Sequence, residues 1–129
     1  MKLLRFCFAA LTLFPVSLIA EGRKNNQIKS TGTFSNMSIV QETGDVVGYE
    51  ITIVPGGGYW VLYQEAEGEP APPKLVQATV KGFAIEFTVT GLPGNPRIFK
   101  GHISSTGLTG SLSGSNETIK LPRKSSYWQ

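Results

Sequence analysis

From Phe83 to Thr90 the chain alternates without a break: Phe83, Ile85, Phe87 and Val89 fall on one side, and Ala84, Glu86, Thr88 and Thr90 on the other. Successive side chains of a strand point to opposite faces, so this period describes a half-buried β-strand and fits no helix. The same grammar recurs. Val46–Val54 sets Val47, Tyr49, Ile51 and Ile53 against Gly48, Glu50 and Thr52, and Leu75–Lys81 sets Val76, Ala78 and Val80 against Gln77, Thr79 and Lys81. Further runs span 32–41, 59–65, 97–104, 108–113 and 118–121, eight in all. The 59–65 run differs, being apolar or aromatic on both sides over its first five residues. Some of Tyr59, Trp60, Leu62 and Tyr63 must therefore face outward or line a cavity.

Turn chemistry separates the runs. Gly44, Gly56–Gly58, Gly82 and Gly107 punctuate the chain, and Pro-rich loops occupy 66–73 and 91–96. Glycine supplies positive φ, and proline has no amide to donate to a ladder. Glycine makes up 15 of 129 residues, well above the usual share of about 7%. Short strands at this spacing predict an all-β fold, a small antiparallel meander. Closing into a barrel removes its edges, so an eight-stranded barrel is expected, with a β-sandwich as the alternative. The inward positions Ala78, Gly101 and Gly110 either relieve crowding or leave room for one small ligand.

Gly32-Thr33-Phe34, followed by Gly44-Asp45-Val46-Val47-Gly48-Tyr49, resembles the opening hairpin of the calycin-type barrels, the avidins and lipocalins. The similarity covers about 20 residues. The Trp usual in the opening strand of both families is Phe34 here. The resemblance implies the barrel shape and carries no binding residue over.

Residues 1–20 read as a secretory signal peptide: Lys2 and Arg5 lead an apolar run from Phe6 to Phe14, and Ser17 and Ala20 precede the expected cleavage. Export places the protein in the periplasm or outside the cell. Lys2, Arg5 and the single Cys, Cys7, leave with the signal. The formal charge of +3 then shrinks to near balance, which removes the argument for nucleic acid as a partner. No thiol or disulfide chemistry is left, and no stable membrane span is expected after cleavage. The mature chain divides into a flexible lead at 21–30, one β domain at 31–123 and a polar tail at 124–129. The short signal and the disulfide-free domain suggest a bacterial source, where the glycan acceptor patterns at Asn36 and Asn116 carry little meaning.

Catalytic chemistry finds little purchase. His102 is the only histidine, and its neighbour Ser104 is an ordinary same-face companion on a strand. A general base needs a nucleophile and an orienting group around it, so a solvated histidine is expected. One His without Cys suits no zinc site, and the Glu65, Glu67 and Glu69 cluster lacks the EF-hand pattern. Gly56–Gly58 has no Lys or helix after it and is no phosphate loop. No catalytic residue, metal ligand or cofactor is assigned, and no enzymatic activity is expected.

Tyr and Trp join a large apolar body to one polar tip, which suits a binding surface. Tyr49, Tyr59, Trp60, Tyr63 and Phe87 are therefore the candidate lining residues. The expected function is non-enzymatic binding of an apolar small molecule inside the barrel or of an envelope protein at one end. One alternative is a protein-interaction module, an inhibitor or immunity-type protein, acting through loops 55–58, 66–73 and 91–96. The other is a miniature outer-membrane barrel, although its strands fall short of the ~9–11 residues that spanning requires.

Overall fold

A computed structural model describes residues 27–91 and 96–129. The signal read at 1–20, most of the 21–30 lead and the centre of the 91–96 loop lie outside these residues. All regular structure described is β. Nine strands follow one another: β1 (Gly32–Ser35), β2 (Ser38–Ile39), β3 (Val46–Pro55), β4 (Tyr59–Gly68), β5 (Lys74–Lys81), β6 (Ala84–Val89), β7 (Arg97–Ile103), β8 (Gly107–Leu112) and β9 (Ile119–Pro122). Every pairing is antiparallel, in the order β1-β3-β4-β5-β6-β7-β8-β9, with β2 beside β3. The meander is nearly closed into a barrel. A bridge joins Phe34 to Arg123, and the Lys124 amide donates to the Thr33 carbonyl at 3.1 Å.

The period-2 pattern sets what lies inside. Ile51 and Ile53 of β3, Val61 and Tyr63 of β4, Ile85, Phe87 and Val89 of β6 and Phe99 and Ile103 of β7 share one buried cluster. Leu108 and Leu112 of β8, Ile119 and Leu121 of β9 and Phe34 of β1 complete it. The β3–β4 register opposes Ile51 to Tyr63 and Ile53 to Val61. The doubly apolar run is resolved by that register: Tyr59, Val61 and Tyr63 turn inward, while Trp60 and Leu62 lie on the outer wall.

Three boundaries depart from the sequence reading. β6 begins at Ala84, so Phe83, which the alternation sets on the inner face, lies exposed in the preceding turn. The 32–41 run is interrupted at Asn36 and Met37. There the Asn36 amide donates to the Tyr49 carbonyl at 3.1 Å, and the Asn36 Oδ1 accepts the Tyr49 amide at 2.7 Å. A side chain thus stands in for the ladder. It fits only because Gly48, at φ +114°, leaves the space: a Cβ there would lie 2.6 Å from Asn36 Oδ1. Further on, β4 runs through Glu65 and Glu67 to Gly68, where sequence composition suggests the loop has already begun.

Gln27 to Ser30 enter beneath the barrel. Ile28 packs against the core, and Arg123 donates to the carbonyls of Thr31, Lys29 and Ser104 at 2.7, 2.6 and 3.2 Å. Its guanidinium also covers the Phe34 ring at 4.5 Å.

Candidate functional site

The interior holds a row of rings. Tyr49 and Tyr63 lie 6.4 Å apart, Tyr63 and Phe87 6.0 Å, and Phe87 and Phe99 stack at 4.9 Å. The Phe99 ring reaches the small positions noted above. A Cβ on Gly110 would stand 2.5 Å from it, and one on Gly101 2.7 Å. These glycines therefore relieve crowding, and the space they leave belongs to Phe99. Three of the five candidate lining residues, Tyr49, Tyr63 and Phe87, are thus in contact order within the core. Tyr59 faces inward farther down β4, packed against the same core. Trp60 stands apart on the outer wall, with its indole N–H donated to the Gly56 carbonyl at 2.8 Å.

A polar cluster closes the row at one end. The Tyr63 hydroxyl donates to Glu65 Oε2 at 2.8 Å, and Arg97 Nη2 reaches both Glu65 oxygens at 3.2 and 3.3 Å. Burial, and then the bond to Glu65, pushes the Tyr63 phenol far above its ordinary range. Tyr49 is also raised, by burial first and by the carboxylates of Glu117, Glu65 and Glu67 after it. Both phenols are held neutral, as an apolar site demands.

The same end gathers charge. In an antiparallel meander alternate connections share an end, so the turn before β3, the β4–β5 loop and the β8–β9 loop stand together. They bring six of the nine carboxylates to one rim: Glu42, Asp45, Glu65, Glu67, Glu69 and Glu117. Two clefts of about 460 and 510 Å³ indent the rim, one walled by Asp45, Glu67 and Glu69, the other by Asn36, Tyr49 and Glu117. Arg97 draws Glu65 inward, which leaves Glu67, Glu69, Asp45 and Glu117 exposed. Loop 66–73 belongs to this end, as do Gly91 and Pro96, which flank the centre of the 91–96 loop, and loop 55–58 lies at the opposite one. Arg97 and Glu117 were not singled out from sequence. Stringing the strands into a meander and sorting their loops by end would have found both.

A second feature lies on the outer wall. Glu50 is 7% exposed although it points away from the core. Its carboxylate accepts the Ser126 hydroxyl at 2.5 Å and the Tyr127 amide at 2.7 Å, and Trp128 donates its indole N–H to Gln64 at 2.8 Å. The tail is thereby laid across β3 and β4. Beside it runs a cleft of about 550 Å³ floored by Thr33, Thr52 and Leu62.

Elsewhere, His102 is exposed on β7 with the Phe83 ring edge-on at 6.1 Å. The Ser104 hydroxyl is committed to its turn, where it accepts the Gly107 amide at 3.0 Å. The two therefore form no nucleophile–base pair. Among the described residues no group of three or more His, Cys, Asp or Glu side chains is placed to hold a metal ion. Comparison with protein-family models, with characterised proteins and with solved structures finds no match to the chain.

Proposed function

We propose that the chain is an exported, non-enzymatic binding protein that engages a partner protein through the acidic rim of its barrel. This is the interaction-module reading, made specific to one end. The observation that carries it is the collection of Glu42, Asp45, Glu67, Glu69 and Glu117 around one mouth of a barrel whose interior is occupied by its own rings. A partner with a basic docking face is the complement, and such pairing raises association rates and fixes orientation. Two further observations favour it over the other readings. A ligand in the lumen would have to displace the Tyr63–Phe87–Phe99 row. A membrane-spanning barrel presents apolar side chains outward, whereas β6 presents Ala84, Glu86 and Thr88.

The test is site-directed photo-crosslinking in the native host, with the reactive group at Glu67 or Glu117 and a control at Thr79, exposed on β5 toward the opposite end. The expected result is one crosslinked polypeptide from the rim positions, absent from the control and lost as salt is raised. A native mass spectrum of the exported protein supplies the opposing outcome. A retained small molecule, with no crosslink from the rim, would return the function to the lumen.

A further inference from the structure

The end opposite the carboxylates has its own chemistry. It comprises the Gly56–Gly58 turn, the Gly82–Phe83 turn, the Ser104–Thr106 turn, residues 27–31 and Arg123. Lys29 and Lys81 are exposed there, and Arg123 stands half-buried between the entering chain and the Ser104 turn. No carboxylate among the described residues belongs to these turns. Phe83 sits at a hairpin tip two residues from Lys81, with its side chain 42% exposed. Gly82, at φ +60°, makes that tight tip possible.

We propose that this basic end is a docking surface for an anionic lipid bilayer. Cations near such a surface each strengthen partitioning about fivefold. An aromatic ring at a loop tip suits the boundary between headgroups and acyl chains, and lysine stems can lie along that boundary with their ammonium groups in water. Docking through the basic end leaves the carboxylate rim a full strand length from the surface, with the acidic mouth directed away. Gln27, Ile28 and Lys29 line a cleft with Ser105 and Arg123, so the first described residues lie at the basic end. A soluble polyanion would use Lys29 and Lys81 but would give the exposed Phe83 ring no role, and the bilayer is favoured for that reason.

The experiment is co-sedimentation of the exported protein with vesicles of phosphatidylcholine alone and of phosphatidylcholine mixed with phosphatidylglycerol. Binding to the anionic vesicles alone, lost at high salt, is expected. Lys29→Gln and Lys81→Gln should each weaken it about fivefold. Phe83→Ser should weaken it too, while Glu67→Gln and Glu117→Gln should not. Each variant's far-UV circular dichroism establishes that it remains folded. Equal binding to both vesicle types, or none to either, overturns the proposal. So does an unchanged affinity in Phe83→Ser together with equally tight capture of soluble polyphosphate, which would make the partner a soluble polyanion. Because the rim crosslinks are read at the other end of the molecule, either proposal can fail without the other.

Discussion

At Gly110 a methyl group would stand 2.5 Å from the Phe99 ring and 2.5 Å from the Lys100 carbonyl oxygen. The ring could turn aside, but the carbonyl belongs to the neighbouring strand and cannot. Gly110→Ala is therefore expected to lower unfolding free energy by about 1–3 kcal/mol, the usual range for overpacking. Adding Phe99→Leu should recover only part of the loss, and urea denaturation of the three variants measures both. Tyr63 gives a pH dependence. Its phenol is raised in the fold, so the unfolded chain loses that proton at lower pH than the folded one. The stabilisation is complete below the ordinary phenol value near 10 and declines as pH climbs beyond it. Thermal scans between neutral and strongly alkaline pH should show this decline, and Tyr63→Phe should flatten it. A stability that rose with alkalinity would contradict the buried, neutral Tyr63.

Two short elements are held by polar contacts more than by apolar packing. The tail after Lys124 is anchored through Glu50 and Gln64, both on strands that would persist without it. A buried carboxylate must keep its hydrogen bonds or regain water. Truncation after Lys124 lets water reach Glu50, so a loss of about 1–3 kcal/mol is expected, with β content retained. Glu50→Leu removes the acceptor while the tail remains, and acrylamide should then quench the Trp128 contribution to fluorescence more strongly. The seam between β1 and β9 depends on Arg123, whose guanidinium satisfies three carbonyls of the entering chain and the Ser104 turn. Lysine is a point charge without that planar fork, so Arg123→Lys should be destabilising by about 2–3 kcal/mol in chemical denaturation.

Among the described residues eight basic and eight acidic side chains cancel in number but are partly separated in space. Carboxylates collect at one mouth, beside Lys74 and Arg97, and Lys29, Lys81 and Arg123 lie at the other. Exposed charges at such distances interact with partners only within the screening length, about 8 Å at physiological salt. Capture of a basic partner at the rim should therefore weaken steadily with ionic strength. Glu67→Gln with Glu117→Gln should lower the association rate much more than it raises the dissociation rate, which surface plasmon resonance against the crosslinked partner would resolve. The melting temperature should stay in place, because these side chains pack against little.

The strands were legible because their cause is local. Alternation between Phe83 and Thr90, and glycine or proline between runs, follow from backbone sterics and from the two faces of a strand, and neither needs a distant contact. The antiparallel meander and its barrel closure follow from connection length and from the cost of open edges. The interruption at Asn36 was not legible, since it depends on a side chain replacing a backbone partner across the Gly48 gap. Nor was the fate of the five aromatic candidates. Composition marks Tyr59 and Trp60 alike, and only the register with β3 sends one inward and the other out. Whether Gly101 and Gly110 leave a cavity was likewise decided by the reach of Phe99 from within the fold. The sequence by itself determined an all-β chain with turns at stated places, because those choices are made by neighbouring residues. Only the tertiary structure decided which rings fill the core and which side chains bond one another, as Glu65 does Tyr63 and Arg97, because those depend on residues brought together across the sheet.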